Sequence, residues 1–153
     1  MPNDLDGYEL DIPGGWAKKY FLASRAVMES VLRPFDLGNT QWYVLLRLSQ
    51  ETKLSQRDLT RELDVERATL SAVIASLVRK ELIEQIRDPD DQRQKTLRIT
   101  PAGARLWDSL PDPVALIAEI AFADVDPGDI ETMNRVLSGA TRRLTDYKKA
   151  NAS

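Results

Sequence analysis

The sequence predicts a mostly α-helical chain with one small β hairpin, and three observations carry that prediction. Apolar residues recur at three- and four-residue steps over most of the length, as they do along one face of a helix. The period changes once, where Ile83 to Arg87 and Thr96 to Thr100 alternate apolar and polar residues like two short strands. Threonine or aspartate before proline, in Thr100-Pro101, Asp112-Pro113 and Asp126-Pro127, marks helix starts. The side-chain oxygen can cap a free N–H, and proline suits the first helical position because no N–H is needed there.

Taken in order, residues 1–13 read as a loose arm. A helix follows with Trp16, Tyr20, Ala23, Val27, Val31 and Phe35 on one side, closed by Pro34 and Gly38. Asn39 or Thr40 is expected to cap a second helix carrying Trp42, Leu45, Leu46 and Leu48. Ser55 to Asp58 has the form of a capping box, with Asp in the usual Glu position, and opens a short helix that buries Leu59 and Leu63. After a tight connection at Asp64 and Val65, residues Leu70, Val73, Ile74, Leu77 and Val78 form the apolar stripe of the next helix. Its other face carries Arg67, Thr69, Ser71, Ala72, Ala75 and Arg79, small and polar side chains that let a flat partner approach. Asp88 to Lys95 offers nothing to a core and reads as a polar hairpin tip that ends basic. Pro111 and Pro113 interrupt the helix after the hairpin, and a fresh segment runs to about Phe122. The last helix carries Ile130, Met133, Leu137, Ala140, Leu144 and Tyr147 in a heptad-like seam.

Composition narrows the function. The 153 residues include no cysteine and no histidine. Disulfides, thiolate metal sites and cysteine redox sensing are thereby excluded, and the commonest general base is missing. There is also no phosphate-binding glycine loop, nucleophile elbow or dinucleotide fingerprint. An enzyme is disfavoured, and no cofactor or metal is expected. No basic segment followed by an apolar one opens the chain, and no apolar stretch is long enough for a membrane span, so a cytoplasmic protein is expected. The net charge of -3 argues against nucleic acid. Yet between Ser55 and Thr100 the bases Arg57, Arg61, Arg67, Arg79, Lys80, Arg87, Arg93, Lys95 and Arg98 offset a similar number of acids, and local distribution matters more than the total.

The central order of short helix, amphipathic helix and hairpin is that of a winged helix-turn-helix, here flanked by N- and C-terminal helices. In such a lobe the second helix enters the major groove of DNA and the first supports it. Arg67, Thr69 and Ser71 are then placed to meet base edges. Arg93 suits a minor groove and Lys95 a phosphate, while Ser55 and Gln56 either cap a helix or touch phosphate from its N-terminus. The alternative is a winged-helix docking module without specific DNA binding. The wing discriminates, because a docking module has no need of Arg93 and Lys95 at its tip. Trp16, Tyr20, Trp42, Tyr43 and Trp107 could line an effector pocket, with Arg25 or Lys19 holding an anion, or could be core and interface. The seam of Ile130, Met133, Leu137, Leu144 and Tyr147 is expected at a dimer interface. The expected organisation is an N-terminal arm and helix over 1–36, the DNA-binding lobe over 37–100, and C-terminal helices over 101–153.

Several stretches resemble the multiple antibiotic resistance regulator (MarR) family. They are Leu37 to Trp42, Leu63 through Ile83, the wing Asp88-Pro89-Asp90-Asp91-Gln92-Arg93, and Leu97-Arg98-Ile99-Thr100-Pro101-Ala102-Gly103. The resemblance implies a homodimer on a palindromic site, with helices from both chain ends interlocked, so that the winged helix-turn-helix is flanked by N- and C-terminal dimerisation helices, over 1–36 and 101–153, in one intertwined domain. It implies control by a small aromatic or anionic effector, and it implies that Asp91 orients Arg93. The chain departs from the family pattern at Ala72, where an arginine is frequent, and at Glu81, where a glycine is usual.

Overall fold

A computed structural model describes residues 11–87, 89, 90, 93 and 95–152. Helix α1 (Pro13–Leu32) starts earlier than the expected Trp16, because Pro13 occupies the first turn. A single 3-10 turn over Arg33–Phe35 leads to α2 (Asn39–Gln50). Then come β1 (Leu54–Ser55), α3 (Gln56–Leu63), α4 (Arg67–Arg79), β2 (Ile83–Arg87) and β3 (Lys95–Ile99). Helices α5 (Pro101–Ser109), α6 (Pro113–Ala121) and α7 (Pro127–Ala150) complete the order. The fold is the expected mostly helical one with a small sheet. The chain forms two compact units, one ending at Ile117 and the other running Ala118–Ser153.

The first unit is organised around one apolar core. Leu32 of α1, Val44 and Leu45 of α2, Leu59 of α3, Leu70, Ile74 and Leu77 of α4, Ile83 of β2 and Leu97 of β3 are all buried. The three-four spacing of Leu70, Ile74 and Leu77 puts them on one side of α4, whose opposite face is left to solvent. Val78, expected in that stripe, sits at its margin and is exposed. The wing is an antiparallel pair with Ile83 opposite Ile99 and Arg87 opposite Lys95. Two strands were expected and three are present. Leu54 pairs with Leu97, so β1 flanks β3 and the order is β1-β3-β2. A two-residue strand gives too little alternation to be read from sequence.

Capping follows the side chains available. Thr100 accepts from the N–H of Gly103 at 3.0 Å and donates to the carbonyl of Glu81 at 2.7 Å, which fixes the start of α5 to the wing. Asp112 accepts from Val114 and Ala115 N–H at 3.0 and 3.1 Å, so the break at Pro111 and Pro113 is a capped restart. Asp126 caps α7 through Gly128 N–H at 2.7 Å. Helix α2 departs from expectation: Gly38 is its N-cap residue and offers no side chain of its own, while the Gln41 side chain accepts from the Gly38 N–H. Asn39 lies inside the helix and donates instead to the Arg25 carbonyl at 3.2 Å. Glu81, where the resembled family usually has glycine, has φ 61°, a left-handed conformation that favours glycine.

The second unit consists of the end of α6 and the long α7. Along α7, Met133, Val136, Leu137, Leu144 and Tyr147 are exposed, Leu144 and Tyr147 to 71% and 70%. Among the described residues no helix is long and apolar enough to cross a membrane.

Candidate nucleic-acid interface

The scaffold beneath the interface is a polar clamp that joins α2 to α3. The Arg47 guanidinium binds Glu62 twice, at 2.6 and 3.3 Å, and also reaches Gln50 at 2.8 Å. The hydrogen bond from Arg47 holds the Glu62 carboxyl below the usual carboxylate range, and the same bond raises Arg47. Bidentate geometry makes this pair more directional than most surface ion pairs. Composition and periodicity do not reveal it, because its partners are 15 residues apart on different helices.

Ser55 caps α3, its hydroxyl accepting from Asp58 N–H at 3.0 Å. A hydrogen bond with Ser55, and then the Arg61 guanidinium, hold the Asp58 carboxyl below its ordinary value. Gln56 turns towards α4 and donates to the Ser71 hydroxyl at 2.9 Å. Two of the sequence candidates are therefore joined to each other across the turn. Arg67 and Thr69 stand exposed in the first turns of α4, with no hydrogen bond or ion pair among the described residues. Ala68, Ala72 and Ala75 on the same solvent side keep that face low.

On the wing, Lys95 is exposed directly opposite Arg87. Like charges across a strand pair repel, and neither side chain has an acidic partner among the described residues. Arg87 was not among the sequence candidates, and only the register brings it beside Lys95. Further along, Arg98 and Glu84 form an ion pair across the same strands. Arg93 is exposed near the tip and engaged within the chain. Asp91, expected to orient Arg93, lies outside the described residues.

The aromatic candidates divide into two groups: Trp42, Tyr43 and Trp107 are in ring contact, and Trp16 and Tyr20 stand exposed on α1. Trp42 is 4% exposed and belongs to the core, with its ring 5.1 Å from Tyr43 edge-on and 5.5 Å from Trp107. Its helical spacing with Leu45 turns it inward, into the core of the first unit. Trp16 and Tyr20 are exposed on α1, at 54% and 46%. A separate cleft of about 560 Å³ opens between the end of α1, the start of α2 and the end of α4. It is lined by Arg25, Arg33, Asp36, Asn39, Gln41 and Lys80 among others, and by none of the five aromatics. Ile130 is half-buried, while Met133, Leu137, Leu144 and Tyr147 form an exposed apolar line on α7. Among the described residues no cluster of acidic side chains could hold a metal ion.

Comparison with known proteins agrees with this geometry. The model of the MarR family matches residues 35–94, which span α2, β1, α3, α4 and β2 and end before β3. The repressor NicR of Pseudomonas putida is 24% identical over 128 residues, covering 82% of this chain and 81% of its own length. The regulator YhbI of Bacillus subtilis is 21% identical over 130 residues, covering 85% and 84%. Among solved structures, Bordetella bronchiseptica BpsR, studied for regulation of its DNA binding by 6-hydroxynicotinic acid, superposes with a TM-score of 0.77. It is 20% identical, with 86% of this chain and 94% of that one covered. A mutant of Escherichia coli MarR bound to operator DNA superposes with a TM-score of 0.76 at 19% identity, covering 83% and 91%. At those identities the superpositions establish the fold.

Proposed function

The chain belongs to the MarR family, and from that premise we propose that it is a homodimeric, sequence-specific DNA-binding regulator of transcription, acting as a repressor in the cytoplasm. The observation that carries this reading is the α4 face. Arg67 and Thr69 stand exposed beside small alanines, on a helix locked from behind by its core stripe and by α3. A helix so placed fits the major groove, and a bidentate arginine–guanine contact supplies about 1–3 kcal/mol of discrimination. Arg87 and Lys95 extend the positive surface along the wing, where phosphate contacts fix register without reading sequence. Ser71 serves DNA while held by Gln56, and Ser55 acts chiefly as the α3 cap.

Residues 1–36 and 101–153 supply the dimerisation helices in this reading. Its support is the exposed apolar line on α7 and the exposed aromatics of α1, surfaces that a lone chain leaves in water. Two lobes in a symmetric dimer then meet half-sites about 34–36 Å apart. The effector is assigned to the aromatic acids. BpsR, whose DNA binding is regulated by 6-hydroxynicotinic acid, supports that class by resemblance, and Arg25, exposed and without an ion pair among the described residues, is the group that would hold the carboxylate. An effector shifts the dimer from its DNA-competent form only through unequal affinity for the two forms.

The test is selection from a random-sequence duplex pool, followed by affinity measurements on the selected and a scrambled duplex across a salt series. A selected palindrome bound far more tightly than the scramble is the expected result. Equal affinity for both would replace this reading with that of a docking module.

A further inference from the structure

The recognition helix α4 is fixed at its two ends by different means. Its first two turns rest on Leu70 and Ile74 in the core and on the Gln56–Ser71 hydrogen bond. Further along, Val73 and the Lys80 that follows the helix border the cleft of about 560 Å³ between α4, the end of α1 and the start of α2. The α4–α2 contact there is polar and converges on one residue, Gln41. Its amide oxygen accepts from Gly38 N–H at 3.0 Å and from the Lys80 ammonium at 3.2 Å. Its amide nitrogen donates to the Ser76 hydroxyl at 3.0 Å. Lys80 also donates to the Asp36 carbonyl and lies 3.5 Å from the Asp36 carboxylate. Asp36 ends the 3-10 turn in a left-handed conformation, and Asn39 ties the same corner to α1 through the Arg25 carbonyl. Ser76 and Lys80 are thereby fastened to the corner between α1 and α2.

We infer that Gln41 is a positioning residue for DNA recognition: through Ser76 and Lys80 it sets the orientation of α4 relative to α1, and hence the separation of the two recognition helices in the dimer. Gln41 touches no DNA in this account. The inference rests on the DNA-binding reading above and adds a residue that reading does not use. The amide suits the task because one side chain both donates and accepts, so it can serve Ser76 and the two N–H groups of Gly38 and Lys80 together. A methionine of similar length would leave Ser76 and the Gly38 N–H without this partner and Lys80 held by Asp36 alone. A carboxylate would answer most of them, since the Ser76 hydroxyl can rotate to become the donor.

The experiment compares Gln41→Met and Gln41→Glu with the unsubstituted protein, on a duplex selected by the unsubstituted protein and on a scrambled duplex. Q41M should lose about tenfold in affinity for the selected duplex, a change of about 1.4 kcal/mol. Its scramble affinity and salt slope should stay unchanged, because no phosphate contact is removed. Q41E should restore most of the loss. Because the chain has no cysteine, Ala75→Cys gives one spin label per α4, and the label-to-label distance in the dimer should broaden in Q41M and sharpen again in Q41E. Thermal melts identify a variant that fails to fold; for that case Ser76→Ala, which removes one bond of the set, should show the same pattern at lower amplitude. Unchanged affinity and distance in folded Q41M overturn the positioning role and leave the DNA-binding reading intact. Failure of the unsubstituted protein to select any duplex overturns that reading, and the inference with it.

Discussion

Gly103→Ala is the sharpest test of how the wing is joined to α5. A Cβ built on Gly103 would lie 2.0 Å from the carbonyl oxygen of Leu82 and 2.8 Å from Cγ1 of Ile99. Ordinary contact begins near 3.4 Å, so the helix or the strand must give by more than an ångström. The oxygen cannot swing aside, because it is backbone and already accepts from Thr100 N–H at 3.0 Å. Overpacking of this kind costs about 1–3 kcal/mol, and loss of the Thr100 bond adds about 1 kcal/mol. Alanine recovers about 1 kcal/mol through its higher helix propensity. The net expectation is a loss of about 1–3 kcal/mol, or about 2–12 °C in Tm for a chain of this size. Urea unfolding at fixed protein concentration measures it, since dimer formation makes stability depend on concentration. Stability within about 0.5 kcal/mol of the unsubstituted protein would refute the close-approach account of this glycine.

Three further outcomes follow from the site. Replacing Arg87 and Lys95 together by alanine should weaken binding to all duplexes alike and lower the salt slope by about 1–2; binding titrations at several salt concentrations read this, and an unchanged slope removes both residues from the interface. Glu62→Gln should flatten the acid side of the stability curve: the folded carboxyl is held below its unfolded value, so its contribution is full above the unfolded pKa and is lost as pH falls through the folded one. Denaturation across the acid range measures it, and a curve parallel to that of the unsubstituted protein would remove Glu62 as a source of acid sensitivity. Glu81→Gly should raise stability by up to about 1 kcal/mol, relief of the left-handed strain being partly offset by a looser unfolded chain; a lower Tm would show that the Glu81 side chain matters more than its φ.

What could be read from the sequence was what repeats or caps. The α4 stripe, the strand pair and the starts of α5, α6 and α7 are local patterns, and each appears within a residue or two of its expected place. The exposed side of α4, with Arg67 and Thr69, follows directly from that stripe. What escaped depends on contacts between distant segments. Arg47 meets Glu62, Gln41 meets Ser76 and Lys80, and Arg87 meets Lys95 only after the lobe has folded. Trp42 illustrates the ambiguity of aromatic residues. The same helical spacing serves a pocket wall and a core, and burial beside Trp107 decides for the core. Asn39 shows the limit of capping rules: it has a good cap side chain, but Gly38 took the position and Gln41 secured it.

The acidity of the whole chain, which weighs against nucleic acid when counted, loses its force once the charges are paired. Within the lobe, Asp58 is bound to Arg61, Glu62 to Arg47 and Glu84 to Arg98. Each of these acids is spent against a base that stabilises the scaffold or its surface. Arg57, Arg67, Arg79, Arg87 and Lys95 remain exposed, with no ion pair among the described residues. A phosphate backbone responds to potential within a Debye length of about 8 Å at physiological salt, not to a sum over the chain. The lobe as a whole stays neutral, with Asp64, Glu66 and Glu81 exposed outside α4 and the wing strands, but α4 and the β2–β3 pair themselves carry exposed bases and no unpaired acid among the described residues. The acids of Asp124, Asp126, Asp129 and Glu131 belong to the other unit, around the start of α7. There the partial positive charge of the helix N-terminus favours them. The net charge of -3 and a DNA-binding surface are thus properties of different parts of one molecule.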